Sequence, residues 1–308
     1  MLAGAVLTMS VGGAAQAQQF VNILTGGTSG VYYPLGVALS EIYAAEIEGA
    51  RTQVQATKAS VENLNLLQQQ KGELAFSLGD SVAAGWTGVT EAGFPGPLTE
   101  LRAIAAIYPN YVQIVASAES GIQSLEDLKG KSISVGAPAS GTELNARAIF
   151  AAAGMSYEDL GKVEFLPYAE SAELIKNRQL DATLQSSGLG VAFIKDLSAT
   201  MDINIVNIPA EVVESIGAPY VPSTIPAGTY DGQDADVSTA AIGNILVTHA
   251  GVSDDLAYQM TKLLFENLDQ MKAAHAAAND IDPARATEGL SIPLHPGAER
   301  YYREAGLL

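Results

Sequence analysis

Short apolar runs alternate with segments whose apolar residues recur at helical spacing, and this alternation predicts α/β layers built mostly on parallel strands. Phe20 to Leu24 reads as a first strand, followed by the small-residue loop Gly26-Gly27-Thr28-Ser29-Gly30 and a helix from about Pro34 to Ile47. Pro34 suits a first helical turn, because its missing N–H would have no intrahelical partner there. A strand near Thr52 to Ala56, a helix from Val61 to Gln70 with Ser60 as expected N-cap, and a strand at Leu74 to Ser77 complete this unit. Val112 to Ala116 reads as a further strand. Ile133 to Val135 then enters a second small-residue loop, Gly136 to Thr142, and a helix from Glu143 to Ala153 stopped by Gly154.

The pattern restarts there. Ser29-Gly30 precedes Ser60 by 31 residues, and Ser140-Gly141 precedes Ser171 by the same 31. Each second serine is expected to open a helix, with Glu62 or Glu173 two positions on, and an acidic residue then leads a strand at Glu73 or Asp181. Two halves with one shared order of strand, loop and helix are implied. Ala218 to Asp236, rich in Pro, Gly and Asp, reads as a connecting strand or hairpin. Ala241 to Val247 reads as a buried strand, Asp254 to Phe265 and Leu268 to Ala278 as a helical pair, and Pro293 to Leu308 as a tail that wraps the surface. A chain that enters the second lobe near Val112 and returns near Val237 yields a discontinuous lobe, 18–112 with 237–308, and an inserted lobe, 113–236. Two crossings would act as a hinge beside a cleft.

Composition narrows the function. The 308 residues carry 34 Asp and Glu against 16 Lys and Arg, a formal charge of −18, with 48% hydrophobic residues. Such a chain folds, but it lacks the basic stripe that releases counterions from nucleic acid, and an anionic membrane surface is disfavoured for the same reason. The sequence has no cysteine, which removes thiol nucleophiles, disulfides and Cys-bound metal centres. Leu2 to Met9 is apolar and runs into Ala15-Gln16-Ala17, a small-x-small cleavage pattern, so residues 1–17 are expected to be an export signal and the mature chain periplasmic. The first basic residue is Arg51, so the basic start of that signal is expected upstream of Met1.

Each glycine-rich loop lies between a strand and a helix start, where open N–H groups and the helix dipole favour an anion. Neither loop is a P-loop or a dinucleotide fingerprint, and a ligand-free βα turn is the alternative for each. Thr28, Ser29, Gly30, Ser140, Gly141 and Thr142 are the candidate binding residues of the two loops. Tyr32 and Tyr33 follow the first loop, and one of two successive phenols is expected to face a cleft or the surface. Asn63, Ser77 and Asp80 lie at a helix start and a strand end, where open α/β sheets present ligand-contacting groups, although Asp80 could equally cap a helix. Lys58 is the cation near these loops in sequence, with a solvated loop position as its alternative. His249, His275 and His295 are widely spaced, and no metal, cofactor or catalytic motif is present.

Five ordered motifs carry a resemblance. Thr25 to Gly36 (TGGTSGVYYPLG), Ser60 to Leu64 (SVENL), Ser120 to Ile122 with Leu125 to Lys131 (SGI, LEDLKGK), Ser134 to Glu143 (SVGAPASGTE) and Pro293 to Tyr302 (PLHPGAERYY) resemble the TAXI family, the extracytoplasmic solute-binding subunits of TRAP transporters. The resemblance spans about residues 20 to 305. It implies a two-lobed type II periplasmic binding protein that closes on a small organic anion, glutamate- or 2-oxoglutarate-like, and delivers it to TRAP membrane subunits. It also implies site residues at Thr28, Ser29, Tyr32, Tyr33, Asn63, Ser140, Gly141, Thr142 and Glu143. Two rival readings remain: an enzyme on the same plan with Asp80 or Glu143 as base, and a sensor that presents its closed form to a membrane kinase.

Overall fold

The computed structural model describes residues 19–308, so the expected export signal lies outside the described residues. The first half runs β1 (Gln19–Leu24), α1 (Tyr32–Glu46), β2 (Ala50–Gln55), α2 (Ser60–Gln68), β3 (Leu74–Leu78) and α3 (Gly79–Thr87). A 17-residue strand, β4 (Leu101–Ser117), then leads into β5 (Ser132–Ser134), α4 (Gly141–Ala152), β6 (Lys162–Glu164), α5 (Tyr168–Lys176), β7 (Ala182–Ser187) and α6 (Ala192–Thr200). After β8 (Ile203–Val206), α7 (Ala210–Ile216) and β9 (Val221–Ile225), the chain returns through β10 (Val237–His249) to α8 (Asp254–Glu266), α9 (Leu268–Ala274) and α10 (Pro296–Glu304).

The strands are ordered β2-β1-β3-β10-β4-β7-β5-β6, with β8 beside β4 and β9 beside β10. On one side β1 lies between β2 and β3, all parallel. On the other β5 lies between β6 and β7, also parallel. The restart expected from sequence is therefore visible as two βαβαβ units with the same internal strand order. Between them stand the long strands β4 and β10, antiparallel to each other. One end of β10 pairs with β3, whereas the far end of β4 pairs with β7, so these two strands carry the chain between the lobes.

Three expectations are corrected. The strands are not mostly parallel, because β4 and β10 form antiparallel pairs with every strand they touch. β4 begins at Leu101, eleven residues before the expected Val112. Pro109 interrupts its polar and apolar alternation, yet is accommodated opposite Gly243, where the register shifts and a missing N–H is tolerated. Neither Ser60 nor Ser171 caps a helix. Ser60 Oγ accepts from the Leu78 N–H (3.1 Å), and the position before α2 is Ala59, held at φ +72°. Ser171 lies inside α5 and donates to Ser134 Oγ (2.8 Å). Ser140 does cap α4, accepting from the Glu143 N–H.

Leu24, Leu64, Leu67, Val82 and Phe94 build one apolar cluster of the first half. Ile133, Ile149, Phe150, Leu184 and Val206 build another in the second. A third spans α1, α8, α6 and the hinge strands, seating the C-terminal helices against the first half. No helix among the described residues is long and apolar enough to cross a membrane.

Candidate functional site

The loops at the carboxyl ends of β1 and β5 meet across one cavity of about 120 Å³. Gly26, Gly27 and Gly30 line it from the first loop, and Ala137, Ser140 and Thr142 from the second. The loops after β2 and β6 add Thr57, Lys58, Ala59, Pro167 and Tyr168, while Tyr32 on α1, Asn110 on β4 and Ser186 and Ser187 on β7 complete the wall. In both lobes the cavity is thus lined from the strand ends where open α/β sheets bind ligands. The size suits a ligand of amino-acid dimensions and falls below the several hundred Å³ of drug-sized sites.

A continuous hydrogen-bonded chain joins the lobes beneath the cavity. Tyr32 OH donates to Asn244 Oδ1 (2.5 Å), Asn244 Nδ2 to Asn110 Oδ1 (2.8 Å), and Asn110 Nδ2 to the Ser186 carbonyl (2.9 Å). Tyr168 OH donates to that same carbonyl (2.8 Å) and lies 2.6 Å from Thr142 Oγ1. A phenol has one proton, so Thr142 must donate to Tyr168 and presents only lone pairs elsewhere. Burial raises the pKa of both Tyr32 and Tyr168, so each phenol stays protonated and serves as a fixed donor.

Open donors remain at the cavity wall. Ser186, 4% exposed, holds a hydroxyl with no hydrogen-bond partner. Ser140 uses a lone pair to cap α4, which leaves its proton unassigned. Helix α1 starts without a side-chain cap, so its first N–H groups are open beside the cavity. Lys58 is the one cation lining it, and among the described residues its ammonium has no ion-pair partner. These donors and the Lys58 ammonium suit a negatively charged group, and salt screens the distant surface charge beyond about 8 Å.

Several expected residues lie outside the lining. Thr28 and Ser29 occupy the apex of a turn closed by Gly30 N–H to Gly27 O (3.1 Å), which turns them to the solvent side while the flanking glycines face the cavity. Tyr33, next to Tyr32 on α1, is half-buried and points elsewhere. Asn63 is fully buried and spends its amide on the Thr25 and Phe76 carbonyls (2.7 and 2.8 Å), tying β1 to β3. Ser77 is fully buried within β3, its hydroxyl on the Leu78 carbonyl. Glu143 is buried with its carboxylate on Arg147 (2.7 Å) and Tyr157 (2.9 Å). Asp80 accepts from Tyr220 OH (2.6 Å) and Asn145 Nδ2 (2.7 Å), and Gly141 packs on Ser60 and Leu78. Both therefore serve contact between the lobes. Gly30, Tyr32, Ser140 and Thr142 are the expected residues that do line the cavity.

Sequence reasoning passed over Asn110, Tyr168, Ser186 and Ser187. A signal existed for three of them: applying the two-halves pattern to every strand end, and not just to the glycine-rich loops, points to Tyr168 after β6 and to the end of β7. Asn110 lies in the part of β4 that was not foreseen.

A family model described as the NMT1-like family matches residues 23–306. The chain belongs to the NMT1-like family. Solved structures agree on its fold. The alkanesulfonate-binding protein SsuA of Xanthomonas axonopodis pv. citri, bound to MOPS, is 13% identical over 94% of this chain and 85% of that one, with TM-score 0.52. A Bordetella bronchiseptica RB50 protein is 14% identical over 94% and 98%, with TM-score 0.54. A structure describing glutathione import through GshT of Streptococcus mutans is 14% identical over 84% and 93%, with TM-score 0.50. This NMT1-like chain accordingly has the two-lobed periplasmic-binding-protein fold, with a discontinuous first lobe and a hinge of two strands.

Proposed function

We propose that the protein is a periplasmic receptor that captures a small organic anion between its lobes, without chemical change, and hands it to the membrane subunits of a TRAP-type transporter. The observation that carries this reading is the convergence of Lys58, the uncapped start of α1 and the unpartnered Ser186 hydroxyl on one cavity between the lobes. The neighbours known to bind alkanesulfonate or to act in glutathione import share the fold and lend it support. Assignment to TRAP transport rests on the five TAXI-like motifs. The lobe boundaries we propose are 18–112 with 237–308, and 113–236.

Binding is favoured over turnover because no candidate base faces the cavity. Asp80 and Glu143 are engaged by protein groups outside it, and none of the three histidines lines it. Calorimetry of the mature chain against C4 to C6 dicarboxylates and acidic amino acids tests the proposal, with the ligand recovered afterwards for its mass. A binder should add about 2.7 kcal/mol of stability at a hundredfold excess over Kd. No heat and no thermal shift with any anion would overturn the reading, and a changed mass would replace a receptor with an enzyme.

A further inference from the structure

An amino acid and its 2-oxo analogue share a carboxylate and a carbon skeleton and differ in one charged group. A site that accepts the amino acid must offer something to the ammonium, because a buried cation without a partner is costly. The hydrogen-bonding capacity of the cavity wall can be counted. Free donors are the Lys58 ammonium, the Ser186 and Ser140 hydroxyls and the open N–H groups of α1. Charged acceptors are lacking: among the described residues no Asp or Glu lines the cavity. The Ser186 carbonyl already accepts from Asn110 and Tyr168, and Asn110 Oδ1 accepts from Asn244. Thr57 Oγ1 is taken up by the Thr25 carbonyl, Asn63 and the Ala59 N–H. Ser187 Oγ lies between Gln113 Nε2 and the Gly188 carbonyl. Thr142 Oγ1, Ser140 Oγ and Ser186 Oγ keep lone pairs, all on neutral oxygens.

Glu62, Asp80 and Glu143 lie outside the lining. Glu62 accepts the Lys58 backbone N–H at 2.6 Å, Asp80 is held by Tyr220 and Asn145, and Glu143 by Arg147. The single charged group on the wall is a cation, so a ligand ammonium would meet like charge and no counter-charge.

Building on the anion-receptor reading above, we propose that the site selects carboxylic acids that carry no ammonium group, namely 2-oxo, 2-hydroxy or unsubstituted acids, and rejects the matching α-amino acids. The 2-oxo or 2-hydroxy oxygen accepts from the hydroxyls, whereas an ammonium would reach only neutral oxygens, beside the Lys58 cation. Specificity thus comes from the absence of a carboxylate in the wall as much as from the donors present.

The test is calorimetry on the mature chain with skeleton-matched sets: 2-oxoglutarate, 2-hydroxyglutarate, glutarate and glutamate, and 2-oxoisovalerate, 2-hydroxyisovalerate, isovalerate and valine. The expected result is that in any set that binds, the amino acid is at least about tenfold weaker than its 2-oxo partner. Glutamate or valine binding as tightly as its 2-oxo partner overturns the selectivity while leaving the anion receptor intact. No binding by any member, with the fold verified by cooperative melting, overturns both.

Discussion

Asp80 Oδ2 lies 2.6 Å from the Tyr220 hydroxyl and 2.7 Å from Asn145 Nδ2, so one carboxylate of α3 is gripped by two residues from the other lobe. Nearby, the Glu62 N–H donates to the Ala139 carbonyl (3.2 Å) and Arg147 donates to the Glu91 carbonyl (2.7 Å). These contacts form a seam between the lobes beside the cavity. A ligand held in that cavity and the seam would reinforce each other, since both draw on the same approach of the two lobes.

Burial raises the Asp80 carboxyl above its ordinary value, against the lowering effect of hydrogen bonds from Tyr220 and Ser81. The folded chain therefore keeps that proton to higher pH than the unfolded chain, and its contribution is fully present below the unfolded pKa of about 3.9. It is lost as pH rises through the raised value. Urea unfolding of the protein and of Asp80→Asn across pH 3.5 to 8 should show the stability difference, native minus variant, shrinking as pH climbs above about 4. A difference that grows instead would mean that the surrounding donors outweigh burial.

Gly141 should act as a spacer of the lobes. A Cβ built there would lie 2.7 Å from both Leu78 Cδ1 and Ser60 Oγ of the opposite lobe, although its helical position otherwise favours Ala by roughly 1 kcal/mol. Gly141→Ala is therefore expected to weaken ligand binding at least severalfold without lowering the melting temperature, and to enlarge the radius of gyration measured with ligand by small-angle scattering. Unchanged affinity would show that the seam yields without cost.

Lys58 is exposed at the cavity edge, with no ion-pair partner among the described residues. Lys58→Ala should leave stability within about 0.5 kcal/mol and reduce anion affinity about tenfold. Titrations at low and high salt would show a smaller salt dependence for the variant. Equal loss of stability and affinity would place the ammonium in the fold instead of at the ligand.

The opposite split is expected for Asn63. Truncation to Ala strips donors from the buried Thr25 and Phe76 carbonyls and should cost about 2–4 kcal/mol in denaturant unfolding. Affinity of the folded fraction should change little, because the side chain does not line the cavity. Asn63 thus supports the first lobe's loop geometry from outside the cavity lining.

The amino-acid order by itself determined the two-halves plan, the strand, loop and helix that open each half and the two small-residue loops, because hydrophobic period and glycine spacing are local properties that survive without tertiary context, whereas Ser60 and Ser171, expected as caps, took tertiary partners instead. It also marked Tyr32, Ser140 and Thr142 as polar groups near those loops. Tertiary structure decided what each polar group faces. Glu143 and Thr142 are neighbours on one helix turn, yet one turns to Arg147 and Tyr157 while the other reaches Tyr168. Asp80 and Tyr220, 140 residues apart, share a hydrogen bond that no local pattern encodes. Partners of this kind are fixed only when β4 and β10 bring the two lobes together, and the difference between a ligand contact, a structural tie and a seam between lobes is decided there.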